Sequence, residues 1–370
     1  MNIPFTKLVS ALPASTPFVG PETLERQHGN TFSARIGANE SAFGISPKAA
    51  EALHAAVESN GCSWYCDPEN HELRAELAEY HKVGMDEICV DAGIDSLLGL
   101  TVRMLVEPDT PVVTSDGAYP TFLYHVEGFG GAVHKVAYKN YHEDPQALLA
   151  KALETKARLV YFSNPDNPMG TSLSSETVQQ MINKIPEHSL LLLDEAYIEF
   201  ATDNPSPAID TTNPQVIRYR TFSKAYGMAG MRIGYVIGHR DIIAGFNKIR
   251  NHFGVNRLAQ AAALASVRDT EFLPSVRQQV EAGRQLIYTM ANEMNLEYLP
   301  SSTNFVAVDM GHGDNTRAIL DQLVEQGIFI RMPGVAPLDR FLRVGVGSPD
   351  EHTAFEKAFK LLAPAILATN

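Results

Sequence analysis

Between residues 88 and 238 the sequence repeats one pattern. A short apolar, often β-branched run stops at Gly, Asn, Asp or Ser, and a longer stretch with helical spacing usually follows. The runs are EICVDAG, TPVVTSD, AVHKVAY, ARLVYFSN, SLLLLDE, VIRYRTF and MRIGYVIG. Helix-like stretches IDSLLGLTVRML, AYPTFLYHVEGF, QALLAKALET and SSETVQQMINKI separate the first five. A run such as LLLL, with no polar alternation, belongs in a sheet covered on both faces. Strands that alternate with helices build a mostly parallel sheet, an α/β fold. In such sheets ligands sit beyond the carboxyl ends of the strands.

The pattern changes after about residue 240. Two long helical stretches lead to three strand candidates, TNFVAVDM, GIFIRM and FLRVGVG, and to a terminal helix from Pro349. At 370 residues the chain exceeds the usual size of one core. The expectation is a large domain over 36–245 with a seven-stranded sheet, and a smaller α+β domain over 246–370. Residues 1–35, rich in proline and polar side chains, read as an arm lying on something else.

Several function classes are excluded early. The net charge is −13 and no basic run occurs, which argues against nucleic acid or an anionic membrane as partner. Three cysteines, Cys62, Cys66 and Cys89, make no disulfide framework, and no Cys/His pair completes a metal site with Cys62 and Cys66. No metal is expected. The amino terminus lacks a secretory pattern and no apolar stretch reaches spanning length, so a cytoplasmic protein is expected. GxxxxGKS/T is absent, and no GxGxxG follows a strand.

The chemistry gathers where the runs stop. DAGIDS leaves Gly93, Ile94 and Asp95 at a strand-to-helix turn, where free amides suit a phosphate; an ordinary tight turn would read the same way. SLLLLDE ends on Asp194, an acid costly to bury without a partner unless it caps a turn, and Tyr197 stands three residues on. Asn164 and Asn167 lie in the proline-fixed loop NPDNPMG. TFSKAYGMAGMRIG carries Thr221, Ser223, Lys224 and Arg232, with glycines that let backbone come close. Tyr119 ends another run, and Arg343 stands inside the apolar FLRVGVG. Taken singly, each has a bland explanation. Together they meet the needs of pyridoxal phosphate: an amine for a Schiff base, a carboxylate for the ring nitrogen, anion donors, an aromatic cover and a donor to the phenolic oxygen.

From ARIGANESAFG to FLRVGVGSPDE the sequence resembles the fold-type I pyridoxal-phosphate aminotransferases of class I/II, and within them the histidinol-phosphate aminotransferase family. NPDNPMG, DEAYIEF, SKAYGMAGMRIGY and LRVGVG, in this order, carry the likeness. The resemblance implies that Lys224 binds the cofactor covalently and then shuttles the proton between Cα and C4′. It implies that Asp194 pairs with the ring nitrogen and that Tyr197 and Asn167 bond the phenolic oxygen. Tyr119 would stack on the ring. Gly93, Ile94, Asp95, Thr221, Ser223 and Arg232 would hold the phosphate. Arg343 would receive the substrate anion, and Asn167 would also contact the substrate. Tyr65, in SWYCDPENHELR, resembles the tyrosine that reaches the neighbouring subunit's cofactor, which implies a homodimer with shared sites.

The implied reaction is ping-pong amino transfer from a donor to a 2-oxo acid such as 2-oxoglutarate. Arg331, in GIFIRMPG, resembles the family's second arginine; it reads equally as a solvated residue at a strand end. The sequence departs from the family at Met169, where threonine is usual, at Cys66, where proline is usual, and after Glu40, where Asn-Pro is frequent. These positions lie near the substrate mouth and the subunit interface. The donor therefore stays open between histidinol phosphate and an aromatic or similar amino acid. A decarboxylase or lyase on the same scaffold is the alternative reaction, and a non-catalytic sensor, which would not require Lys224, is the third reading.

Overall fold

A computed structural model describes residues 3–14, 18–59 and 61–367. Its strands in chain order are β1 (Ala34–Arg35), β2 (Ile88–Asp91), β3 (Pro111–Ser115), β4 (Ala132–Val136), β5 (Leu159–Ser163), β6 (Leu190–Asp194), β7 (Val216–Thr221), β8 (Gly234–Gly238), β9 (Phe305–Asp309), β10 (Ile328–Phe329) and β11 (Phe341–Gly345). All seven runs of the repeated pattern become strands of one sheet, in the order β2-β8-β7-β6-β5-β3-β4. The pairs β7–β6, β6–β5, β5–β3 and β3–β4 are parallel, whereas β8 runs antiparallel to both β2 and β7. The fold is α/β with a mostly parallel seven-stranded sheet, as the alternation requires.

Helices cover both faces. The helix Ile94–Leu105 buries Ile94, Leu97, Leu98, Thr101 and Val102, a stripe at helical spacing that faces the sheet. On the sheet side Leu191, Leu192 and Leu193 are at most 1% exposed, which explains why this run has no polar alternation. Truncating Leu192 to alanine costs about 2–5 kcal/mol. One apolar cluster joins Leu97, Phe122 and Leu192 to Phe305, Leu342 and Phe359, so the carboxyl-terminal elements share a core with the large sheet.

Three details differ from the sequence reading. Helices Arg240–Ile249, Arg257–Arg268 and Phe272–Glu293 fill the stretch where two were expected. The last three strand candidates do not form one sheet: β9 and β11 pair antiparallel, while β10 pairs in parallel with β1. That strand lies in the segment read as an arm. Two-residue strands have no periodicity to read, and their pairing is a tertiary choice. Upstream of β1 the described arm residues form helices Lys7–Ala11 and Pro21–His28. Among the described residues no helix is long and apolar enough to cross a membrane.

Candidate active site

A cavity of about 770 Å³ opens beyond the carboxyl ends of β5, β6 and β7. Register places these ends together, with Ser163 beside Asp194 and Asp194 beside Tyr219.

One end of the cavity is built for an anion. The Asp91 carboxylate accepts from the Ala92 amide at 2.6 Å and the Ser96 hydroxyl at 3.0 Å, which turns the chain out of β2. Gly93 follows with φ of 89°, and the twelve-residue helix at Ile94 starts there with no side-chain cap, leaving its first amides for a ligand. A Cβ on Gly93 would stand 2.9 Å from Arg232 Nη2, so glycine is what lets the guanidinium approach. Arg232 donates from Nη1 to the Ala229 carbonyl at 2.9 Å and to Ser223 Oγ at 3.5 Å, and Nη2 lies 3.6 Å from Asp95 Oδ2. Thr221 Oγ1 accepts from the Ser223 amide at 3.0 Å. Both hydroxyls act as acceptors here and keep their protons for a ligand oxygen.

Deeper in, Asp194 is 4% exposed. Its Oδ2 accepts from the Tyr161 hydroxyl at 2.6 Å and its Oδ1 from the Ala196 amide at 3.0 Å. Both partners are neutral. Burial pushes its pKa up to about 6, although those two donors hold it down. A cationic N–H in the cavity would supply the missing charge.

Lys224 follows β7 and is half-buried. Its Nζ lies 5.6 Å from the centre of the Tyr197 ring and 3.5 Å from the Ala38 carbonyl. Tyr197 packs edge-on to Phe305 with centroids 5.6 Å apart, and its hydroxyl accepts from Asn39 Nδ2 at 2.8 Å. Tyr119 donates to Asp95 Oδ1 at 2.8 Å, with its ring 6.2 Å from that of Phe18.

The mouth carries two arginines. Arg343 donates from Nη1 to Asn167 Oδ1 at 2.8 Å and from Nη2 to the Gly37 carbonyl at 2.9 Å, and its buried Nε has no partner among the described residues. Burial, with Arg331 nearby, pushes its pKa down to about 10. Arg331 is not a solvated strand-end residue. It lines the cavity with its guanidinium 5.4 Å from the ring centres of both Phe18 and Phe329, and Nη2 donates to the Val19 carbonyl at 2.9 Å.

Ile94, Asp95, Tyr119, Asn167, Asp194, Tyr197, Thr221, Ser223, Lys224, Arg232, Arg331 and Arg343 all line this one cavity, and Gly93 backs its anion end. Tyr65 does not belong to it: the side chain is 79% exposed, on the surface beside Phe253. Asn164 serves the loop, donating to the Leu173 and Pro205 carbonyls at 3.1 Å each. The sequence reading missed Asn39, Tyr161 and Phe18, which also line the cavity. Tyr161 sits in an apolar run and reads as core, while Asn39 and Phe18 lie outside any periodic element. The donor set fits pyridoxal phosphate: an amine, a buried acid with neutral partners, an arginine with two hydroxyls and open amides, and an aromatic side wall.

Comparison with known proteins points the same way. The family described as aminotransferase class I and II matches residues 34–358. Histidinol-phosphate aminotransferase 1 of Idiomarina loihiensis is 32% identical over 342 residues, covering 92% of this chain and 92% of that protein. A crystal structure of histidinol-phosphate aminotransferase from Sinorhizobium meliloti in complex with pyridoxal-5'-phosphate is 45% identical with a TM-score of 0.93, covering 100% of this chain and 99% of that one. Aspartate aminotransferase from Thermus thermophilus with maleate shares the fold, with a TM-score of 0.82 at 21% identity over 97% of this chain and 99% of that one.

Proposed function

Since the chain belongs to the class I and II aminotransferases and is a pyridoxal-phosphate-dependent transaminase of fold type I, we propose that its amino donor is histidinol phosphate and its acceptor 2-oxoglutarate. The carrying observation is the pair Arg331 and Arg343, which line one cavity and whose backbones bond at 2.8 Å. A phosphate dianion gains from two guanidinium groups where a carboxylate is served by one. The named relatives of Idiomarina loihiensis and Sinorhizobium meliloti support the same donor.

The bound cofactor supplies an electrophilic aldehyde and a protonated ring that spreads the charge left when the α-proton departs. The chain's residues do the rest. Lys224 Nζ would hold the cofactor covalently and, once released by the substrate, would serve as the base that moves the α-proton. Asp194 would hold the ring N–H as a carboxylate, and that pairing would offset the burial that raises its pKa. The Tyr197 hydroxyl and Asn167 Nδ2 donate to the phenolic oxygen, and Tyr119 covers the ring. The Ile94 and Asp95 amides, Thr221, Ser223 and Arg232 hold the cofactor phosphate. Donor and acceptor use the same arginines in turn, as ping-pong exchange demands. Phe18, stacked toward Tyr119, limits water at the mouth.

We propose further that Tyr65 from a second copy of the chain reaches the cofactor phosphate, which makes the active form a homodimer; the exposure of Trp64, Tyr65 and Phe253 on one surface supports this. Residues 36–245 would form the cofactor-bearing domain, residues 246–370 the smaller one, and the cytoplasm the working compartment. The test is a donor screen with 2-oxoglutarate, following glutamate formation. Histidinol phosphate should give the highest kcat/KM. Equal or better turnover of phenylalanine or tyrosine would refute this donor.

A further inference from the structure

Asn39 has φ of 56°, a left-handed conformation that asparagine adopts more readily than most residues. It is 4% exposed. Asn304, just ahead of β9, fixes the backbone there by donating from Nδ2 to the Asn39 carbonyl at 3.2 Å and to the Glu40 carbonyl at 3.1 Å. The side chain is thereby turned on Tyr197, whose hydroxyl accepts from Asn39 Nδ2 at 2.8 Å.

The direction of that bond has a consequence for the hydroxyl proton. A phenol has one proton to give and an oxygen that accepts. Asn39 occupies the acceptor side, so the proton is not spent on Asn39. Asn39 is the one side-chain partner of this hydroxyl among the described residues. Tyr197 is 3% exposed, with Phe305 against its ring edge and Lys224 Nζ 5.6 Å from its centre. A buried donor in this position needs an acceptor, and the cavity is the space left for one.

We propose that Asn39 is a positioning residue for amino transfer: by donating to the Tyr197 hydroxyl it commits that hydroxyl's proton to the cavity, toward the phenolic oxygen of the cofactor. The inference rests on the cofactor reading above. The Asn39 Oδ1 atom is buried with no partner among the described residues, so the Nδ2 bond to Tyr197 is the one side-chain hydrogen bond there that orients the carboxamide.

Asn39→Asp tests the direction with almost no change of shape, and aspartate also tolerates the left-handed backbone. Its carboxylate can only accept, so it would draw the Tyr197 proton away from the cavity. A donor to the phenolic oxygen stabilises the phenolate and loosens the neighbouring shared proton. Losing that donor makes the visible band of the lysine-bound cofactor titrate at higher pH. The experiment records this titration, and the cofactor dissociation constant by fluorescence, for the wild type, Asn39→Asp, Tyr197→Phe and the double variant. Asn39→Gly, which keeps the left-handed backbone without the carboxamide, is a second probe should the aspartate variant fold poorly. Expected are upward shifts of about one pH unit in both single variants, and a double variant no worse than Tyr197→Phe alone. For the glycine variant the expectation is a shift in the same direction. An Asn39 variant, aspartate or glycine, that titrates like the wild type overturns the proposal, as do additive shifts in the double variant, which would mean Asn39 acts apart from Tyr197. A wild type with no visible band overturns the cofactor reading itself.

Discussion

Arg343 donates its backbone N–H to the Arg331 carbonyl at 2.8 Å, and both guanidinium groups line one cavity. Two cations this close repel, and burial, which also lowers both pKa values, makes each costlier to keep charged. An anion bound between them would offset that cost, as the proposed function requires. The division of labour follows from the contacts: Arg343 is braced by Asn167 and Gly37, whereas Arg331 is braced by Val19 and two rings.

Arg343→Ala should lower kcat/KM about a hundredfold for every donor, because it removes charge-assisted hydrogen bonds to any anion, while cofactor retention stays near wild type. Arg331→Ala should cost about tenfold with a phosphorylated donor and less with an amino acid. Steady-state kinetics with both donor types checks the split. An equal loss of cofactor and turnover in Arg343→Ala would contradict its role at the substrate.

Cofactor binding should strengthen as pH rises through about 6, where Asp194 titrates in the protein without cofactor. The sign follows from linkage. The carboxyl's folded pKa is raised, so its protonated form is favoured at low pH and stability is lost as pH rises through about 6. A cationic ring N–H would bind the carboxylate, so the cofactor would recover that loss above pH 6. Fluorescence titration of the apo-protein against pH should show the dependence. Asp194→Asn, which cannot titrate there, should reduce it and weaken binding throughout.

Gly93→Ala should keep the fold and weaken cofactor retention about tenfold, since φ of 89° strains any other residue by about 1–2 kcal/mol and the new Cβ meets Arg232 Nη2 at 2.9 Å. Equilibrium dialysis measures retention, and circular dichroism checks the fold.

The residue after Asp194 supports the site from behind. Glu195, 1% exposed, pairs with Arg218 at 3.1 Å and Arg220 at 2.8 Å. Glu195→Ala would leave buried Arg218 with neutral hydrogen-bond partners alone and Arg220 with Glu199, at 3.4 Å, as its one remaining acid among the described residues, and should cost about 3–5 kcal/mol in denaturant unfolding. Against burial, Arg220 and Arg218 hold the Glu195 carboxyl below the ordinary carboxylate value. Its contribution is therefore full above the unfolded pKa and lost as pH falls through the lower folded one. Wild type should lose more stability on acidification through that range than Glu195→Gln.

Much of the framework was legible because the physics behind it is local. Continuous apolar runs made the seven strands visible, and LLLL revealed a sheet covered on both faces. Strand order and the reversal of β8 were not legible, since they depend on crossovers that leave no mark in spacing. The same holds for the pairing of β1 with β10. At the site, Asp194, Lys224 and Arg232 stood out as charges where apolar runs stop. Tyr161 did not, because a tyrosine inside a strand looks like packing until register pairs it with Leu192 and Ser163 with Asp194, which brings its hydroxyl onto the Asp194 carboxylate. Asn39 was hidden for a different reason: its meaning lies in contacts to Tyr197 and Asn304, 158 and 265 positions away.

The proposed function turns on a covalent bond at one lysine. The most direct measurement is borohydride reduction of the purified protein, followed by proteolysis and mass spectrometry. One reduced pyridoxyl phosphate is expected on the peptide that carries Lys224, with loss of that label together with the visible band in Lys224→Ala. A label on another lysine such as Lys135, or no label on a protein that still transaminates, would contradict the proposed function.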